Sequence, residues 1–163
     1  SSVIEKFGSV DVLINNAGLW IEGPLEENDP KRIADVVHVN TVGPMFLTRA
    51  LLPHFKHNGK GVIINVISQA GLYGKALRSV YHASKWAVTG FTKSLQEELK
   101  GTGITATGLY PGPMQTHLFE SAGNHEDTST YMKPEEVARC VEFILDTPEG
   151  LLIPELGIKP ASY

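Results

Sequence analysis

A chain of 163 residues with 42% hydrophobic and 20% charged residues has the composition of a single globular domain. Its net charge of −4 gives no basic surface for a nucleic-acid partner, and no apolar run is long enough to span a membrane. Its single cysteine, Cys140, rules out an internal disulfide framework and predicts a reducing, cytoplasmic location.

The first predicted elements are the end of a helix, over residues 1–8, and a short buried strand, over residues 11–15. The strand leads into a turn of sequence Asn15-Asn16-Ala17-Gly18. The asparagine side chains of this turn are predicted to hold loop backbone by hydrogen bonds. Trp20 follows, either as a core residue or as the wall of a pocket.

A long helix is predicted over residues 30–52, because Asp29 is a good N-cap and Pro53 favours an end. Asn40 lies in the middle of this helix, where asparagine is unfavourable. The Gly43-Pro44 pair that follows favours a kink. A lone asparagine in such a place is more often a satisfied buried amide than a functional group, so its role is open at this point.

A possible reaction centre follows the next strand, predicted over residues 61–67 and buried on both faces. Ser68 comes at its carboxyl end, where open α/β sheets bind ligands. The next helix, over residues 79–100, carries Tyr81 and Lys85, which lie on one face because they are four residues apart. A hydroxyl, a phenol and an ammonium that converge suit proton transfer to or from an alcohol or carbonyl, with Lys85 lowering the phenol pKa.

The remaining elements are a strand over residues 103–110, a rigid turn over 111–113, a helix over 133–145 and an edge strand over 151–156. Residues 113–133, between the turn and the helix, are predicted to form a lid over a substrate. Strands that alternate with helices predict an α/β fold with a parallel sheet. The scattered histidines have no partners at metal-ligand spacing, so no metal site is predicted.

Several motifs occur in the order typical of one enzyme family. They are Asn15-Asn16-Ala17-Gly18, Asn40 in Asn-Thr-Val-Gly43, the interval from Ser68 to Tyr81, Tyr81-His-Ala-Ser-Lys85, and Pro111-Gly112 before Thr116. Over nearly its whole length the chain resembles the classical short-chain dehydrogenase/reductase family. The resemblance implies a Rossmann-like, doubly wound parallel sheet that is incomplete, with strands equivalent to strands 4 to 7 of the family, in one partial domain over residues 1–163.

The resemblance also implies an oxidoreductase that interconverts an alcohol and a ketone or aldehyde, as a small-molecule substrate, with NAD or NADP. Tyr81 would be the general acid and base, Lys85 would lower its pKa and hold the nicotinamide ribose, and Ser68 would position the substrate oxygen. Asn40 would hold a kink and support a proton-relay water. The implied cofactor contacts are Asn16, Ala17, Gly18, Tyr81, Lys85, Pro111, Gly112 and Thr116.

The family's glycine-rich turn between a strand and a helix, which cradles the pyrophosphate, does not occur in this sequence. The chain is therefore expected to be a piece of a longer protein and to be inactive and bind dinucleotide poorly by itself. The alternatives are a natural half-domain that pairs with another chain and a non-catalytic cofactor-binding or regulatory module. By resemblance, the helices over residues 30–52 and 79–100 would form the interface of a homodimer or homotetramer.

Overall fold

The computed structural model describes residues 2–123 and 127–162, which form an α/β structure around a four-stranded parallel sheet. The strands, in spatial as well as chain order, are β1 (Val12–Asn15), β2 (Gly61–Val66), β3 (Ile104–Pro111) and β4 (Glu155–Ile158). The predicted fold class is confirmed. Because all four strands run the same way, the segments that follow them meet at one carboxyl edge.

Helices cover both faces of the sheet, which is why the central strands are continuous apolar runs. The helices are α1 (Ser2–Phe7), α2 (Pro30–Val37), α3 (Gly43–Asn58), α4 (Ser79–Glu98) and α5 (Pro134–Leu145). On one face Ile63 packs with Phe55 of α3 and Leu95 of α4. On the other face Ile64 packs with Val137 of α5. Within residues 2–123 and 127–162, no helix has both the length and the apolar character needed to cross a membrane.

The long helix predicted over residues 30–52 is divided in the structure. Asp29 caps α2 as predicted, since its side chain accepts a hydrogen bond from the Lys31 amide. A π-helical turn over His38–Val42, which contains Asn40, then separates α2 from α3. Such turns are one of the usual causes of a helix kink, so the π-helical turn lies where a kink was predicted.

The predicted helix end before Pro53 is wrong, because α3 continues through this proline to Asn58. Proline removes one hydrogen bond and bends a helix, but the ring of Pro53 points to solvent. Two residues later, Phe55 is fully buried in the core. The helix ends instead at Gly59, which has a left-handed backbone with φ of 68°. Burial of Phe55 therefore outweighs the cost of the proline.

The predicted position of the last strand is also wrong. β4 starts at Glu155, whereas the apolar residues from 151 to 153, on which the prediction depended, lie outside the ladder. Their backbone is used in another way: the carbonyl of Ile153 accepts from the Thr107 hydroxyl, and that of Pro154 accepts from the Gly108 amide. The strand pairing begins after Pro154, which has no N–H to donate.

Replacement of Gly61 in β2 by alanine is expected to destabilise the fold by about 1–3 kcal/mol, the usual cost of overpacking a core. A methyl group at this position would lie 2.5 Å from Cγ of the buried Phe55 ring. The free energy of unfolding of the full-length protein, measured in denaturant, tests this. Gly157→Ala in β4 is the matched control, because its nearest neighbour is 3.9 Å away.

The double variant Gly61→Ala with Phe55→Leu gives the second control. The smaller leucine removes the ring that the new methyl would meet, so the two losses should be less than additive. Strictly additive losses, or a Gly61→Ala variant as stable as the Gly157→Ala variant, would contradict the close packing described here.

Candidate active site

A cleft of about 880 Å³ opens at the carboxyl edge of the sheet. It is lined by the segments that follow β1, β2 and β3 and by the first two turns of α4. Nine residues predicted from the sequence line it: Asn16, Ala17, Gly18, Ser68, Tyr81, Lys85, Pro111, Gly112 and Thr116. Asn40 is not among the lining residues. This volume is within the usual range for small-molecule sites.

Ser68 follows β2 directly and has a strained backbone. Its φ of 114° lies in a region that side-chain-bearing residues rarely adopt. Its hydroxyl accepts a hydrogen bond from the Ala70 amide at 3.2 Å, which fixes the turn. The same hydroxyl is close enough to the phenol of Tyr81 to lower its pKa by hydrogen bonding. Strain of this kind collects at functional sites, and here it directs a hydroxyl into the cleft.

Tyr81 lies on the first turn of α4 with its ring packed against Trp20, at a centroid distance of 4.4 Å. Burial raises the pKa of its phenol to about 12, although Ser68 and Arg78 act in the opposite direction. The predicted lowering of this pKa is therefore not found in the structure. The phenol is desolvated more strongly than neighbouring groups favour its charged form.

Lys85 lies one turn further along α4, with its Nζ 5.8 Å from the centroid of the Tyr81 ring. The ammonium donates to the carbonyl of Val66, at 3.2 Å, across the end of β2. Burial lowers the pKa of Lys85 to about 8. The expected proximity of the two side chains is thus present, but each group is shifted towards its neutral form by its loss of contact with water.

Asn40 joins three parts of the site from behind the cleft. From the π-helical turn, its Oδ1 accepts from the Leu19 amide at 2.7 Å, and its Nδ2 donates to the Leu19 carbonyl at 2.9 Å. The same Nδ2 donates to the Ser84 hydroxyl on α4, at 3.0 Å. With 1% of its surface exposed, the side chain is a fully satisfied amide. It holds the segment after β1 against the helix that carries Tyr81.

The backbone at Gly18 comes close to two of these polar groups. A Cβ at this position would lie 3.5 Å from Oδ1 of Asn40 and 3.7 Å from Nζ of Lys85, which is ordinary van der Waals contact. A side chain larger than a methyl group would therefore crowd the part of the cleft next to the ammonium. Glycine keeps this part of the cleft accessible to a ligand.

The predicted lid, residues 113–133, is described except for residues 124–126, which lie outside the described part of the chain. Its two ends are tied together, since the Gln115 amide donates to the Met132 carbonyl at 2.8 Å. Phe119 from this segment packs edge-on against Trp20, at 4.9 Å, and contacts the ring of Tyr131. The segment gives the cleft an aromatic wall, and its motion stays a prediction.

Three residues that also line the cleft, Arg78, His82 and Lys75, were not selected from the sequence, because no motif marks them. Nδ1 of the buried His82 is hydrogen-bonded to the Tyr73 carbonyl. Arg78 is ion-paired with Glu22, 56 residues away, and no local sequence signal could reveal such a contact. Among residues 2–123 and 127–162, no group of three or more His, Cys, Asp or Glu side chains could hold a metal ion.

Comparison with known proteins gives a consistent result. The family model described as short chain dehydrogenase matches residues 1–127. Dehydrogenase/reductase SDR family member 7 of Mus musculus is 33% identical over 88% of this chain and 45% of its own length. A 3-oxoacyl-acyl-carrier-protein reductase of Vibrio cholerae is 31% identical over 93% of this chain and 65% of its own.

Solved structures show the same fold. An alcohol dehydrogenase from the archaeon Thermococcus sibiricus, complexed with 5-hydroxy-NADP, has a TM-score of 0.87 and 26% sequence identity. The match covers 99% of this chain and 68% of that one. The chain spans between 45% and 68% of the length of the first five curated relatives it matches.

Replacement of Lys85 by methionine tests the cost of burying the ammonium. The unfolded chain keeps the Lys85 proton up to its ordinary pKa of 10.5, whereas the folded chain loses it near pH 8. The burial penalty is therefore complete below pH 8 and disappears towards pH 10.5. The stability of the variant relative to wild type should fall by up to about 3 kcal/mol over this interval.

Unfolding in denaturant at pH 7, 8, 9 and 10 measures this difference. Lys31→Met on the exposed side of α2 is the control, and its difference from wild type should stay constant. A Lys85→Met difference that is equally flat would show that the ammonium is not desolvated in the folded protein.

Proposed function

This chain belongs to the short-chain dehydrogenase family, and from that premise we propose that it is the catalytic part of a NAD(P)-dependent oxidoreductase that interconverts an alcohol and a ketone or aldehyde. The observation that carries the proposal is the meeting of three groups in one cleft. The Ser68 hydroxyl faces the Tyr81 phenol, and the Lys85 ammonium lies one helical turn away. These groups suit the handling of one substrate oxygen and its proton.

Tyr81 is proposed as the proton donor in the reductive direction. A phenol whose pKa is raised to about 12 keeps its proton at neutral pH, so it is ready to give that proton to a carbonyl oxygen. The Ser68 hydroxyl holds the same oxygen by a hydrogen bond. In the oxidative direction Tyr81 takes the alcohol proton back, for which the phenolate is needed.

The cofactor, NAD or NADP, would supply the hydride to the carbonyl carbon in reduction and accept it in oxidation. The residues present fit such a group: the backbone of Gly18 lies close to the Lys85 ammonium without a side chain between them, and Asn16, Ala17, Pro111, Gly112 and Thr116 border the same cleft. Lys85 would hold the nicotinamide ribose through its ammonium. The Thermococcus sibiricus structure, which is complexed with 5-hydroxy-NADP, supports a cofactor of this class.

Asn40 is proposed to act by holding other parts of the site in place. Its side chain is committed to Leu19 and Ser84, so it keeps the π-helical turn, the segment after β1 and α4 in register. The support of a proton-relay water by this turn remains a proposal. The aromatic wall of the cleft favours a substrate with an apolar body.

Replacement of Tyr81 by phenylalanine in the full-length protein is expected to lower kcat by about 10²–10⁴-fold, the usual contribution of a general acid or base. The Kd for the reduced cofactor should change little, because only a hydroxyl is removed. The assay follows oxidation of NADH and NADPH over a set of ketones and aldehydes. Turnover of any of them also separates an enzyme from a non-catalytic cofactor-binding module.

Tyr110→Phe is the matched control. This tyrosine is equally buried, but its hydroxyl donates to Glu155, on β4 and away from the cleft. Its loss should cost stability and leave kcat within about twofold, since the group does not touch the reacting atoms. Unchanged turnover in Tyr81→Phe would end the assignment of this phenol.

We also propose that α3 and α4 form an interface between copies of this protein. Phe46 and Leu47 on α3 and Trp86 on α4 are each at least half exposed, which is unusual for large apolar side chains that stay in water. The double variant Phe46→Glu with Trp86→Glu should reduce the mass measured by light scattering to that of a monomer. Phe143→Glu, which places one such charge on an equally exposed aromatic position of α5, should leave the α3–α4 dimer intact.

A further inference from the structure

We propose that Arg78, held between Glu22 and Trp20, is a positioning residue that fixes the Trp20 ring against Tyr81 and favours the phenolate form of this tyrosine. It acts through the aromatic ring that packs on the phenol and through its permanent charge. The kinetic part of this inference rests on the proposed function, whereas its structural and titration parts do not.

The guanidinium of Arg78 is fixed on two sides. Its Nε donates to Oε1 of Glu22 at 2.9 Å, and the two side chains are only 15% and 22% exposed. Its Cζ lies 4.8 Å from the centroid of the Trp20 ring, within the range of a cation–π contact. A planar guanidinium can make an ion pair at its edge and stack with its face at the same time. Arg78 uses both.

The Trp20 ring connects Arg78 to the phenol, because it is in contact with both side chains. Its ring lies 4.4 Å from the Tyr81 ring, at an angle of 57°, so one indole contacts both the cation and the tyrosine. The Trp20 carbonyl accepts from Nη2 of Arg32 at 3.1 Å, which anchors its backbone to α2. With almost no freedom left to the indole, Arg78 and Tyr81 keep a fixed relation.

The backbone next to Arg78 is arranged for the same contact. Leu77 has a φ of 64°, a left-handed conformation that costs energy for a residue with a side chain. Its carbonyl accepts from the Gly23 amide at 2.8 Å, which joins the segment after β1 to the start of α4. This bond lies directly beside the Arg78–Glu22 ion pair. Together they hold the two loops against each other at the start of α4, the helix that carries Tyr81.

Charge then distinguishes Arg78 from Lys85. Burial lowers the pKa of Lys85 to about 8, and the phenol titrates near pH 12. When the phenol ionises, Lys85 has already lost its charge. Arg78 remains a cation at every pH that the protein survives, and its positive charge lowers the pKa of Tyr81.

The titratable and charged groups around the phenol come from each segment that lines the cleft. They are Arg78, His82 and Lys85 from α4, Glu22 from the segment after β1, Lys75 from the segment after β2, and His117, Asp127 and Tyr131 from the segment after β3. Glu22 is the acidic group bound to Arg78, so it partly cancels the effect of the guanidinium on the phenol. Loss of Arg78 and loss of Glu22 should therefore shift the pKa of Tyr81 in opposite directions.

The first experiment is a spectroscopic titration of tyrosinate in the full-length protein, with Tyr81→Phe to assign the signal. Arg78→Met should raise the pKa of Tyr81 by about one unit, the lower end of the effect of one nearby opposite charge, because Glu22 already offsets part of the guanidinium charge. Glu22→Gln should shift it in the opposite direction, because the guanidinium is kept and its counter-charge is lost. Arg78→Lys should lose most of the wild-type effect, because a lysine with the ordinary pKa of about 10.4 has given up its charge before the phenol ionises.

Arg139→Met, which removes an exposed guanidinium from α5, is the matched control and should give no shift. If the Arg78–Glu22 ion pair had a purely structural role, Arg78→Met and Glu22→Gln should shift the pKa of Tyr81 in the same direction. That result would overturn the proposal. Equal pKa values in all variants would overturn it too. If Arg78→Met does not fold, the sign of the Glu22→Gln shift decides the question.

The second experiment measures kcat for alcohol oxidation against pH. The limb that reports the phenolate should move to higher pH in Arg78→Met and to lower pH in Glu22→Gln. If the pKa of Tyr81 shifts in these variants but the pH profile of kcat does not, the inferred effect of Arg78 on the phenol is right and the proposed role of Tyr81 in catalysis is wrong. The two failures are therefore distinguishable.

Discussion

Burial of two titratable side chains on neighbouring turns of α4 is the constraint on which the rest of the site depends. Water is excluded from the phenol of Tyr81 and from the ammonium of Lys85, and their pKa values move apart, to about 12 and about 8. Each group is therefore poised closer to its neutral form than it would be in water. The polar partners that remain, the Ser68 hydroxyl and the Val66 carbonyl, gain influence because little solvent competes with them.

The scaffold that holds these groups is polar where a simple core would be apolar. Asn15 at the end of β1 donates to Asn65 on β2 at 2.8 Å, and Asn65 donates to the Thr92 hydroxyl on α4 at 2.8 Å. Further towards the cleft, Asn40 binds the backbone of Leu19. Buried amides are costly when unpaired and directional when paired. They fix the register between the sheet edge and α4 more closely than apolar contacts would.

Much of this architecture was predictable from local pattern, and the errors share one cause. The apolar strands, the Asp29 cap and the four-residue spacing of Tyr81 and Lys85 depend on neighbours in the chain, so the sequence shows them directly. The predictions at Pro53 and at residues 151 to 153 were wrong because tertiary contacts overrode the local preference at each position. Phe55 gains its place in the core only if the helix continues, and the last strand starts where β3 offers free backbone partners.

The sequence by itself determined the fold class, the family and the chemical types that meet at the carboxyl edge, because parallel βα units and motif order are written locally. Only the tertiary structure decided the state of those groups. Burial, which depends on every packed segment at once, raised the Tyr81 pKa when the nearby lysine had predicted a decrease. It also brought Arg78 into contact with Glu22 and Trp20, which lie in a distant part of the chain, and contacts between residues so far apart leave no trace in local sequence.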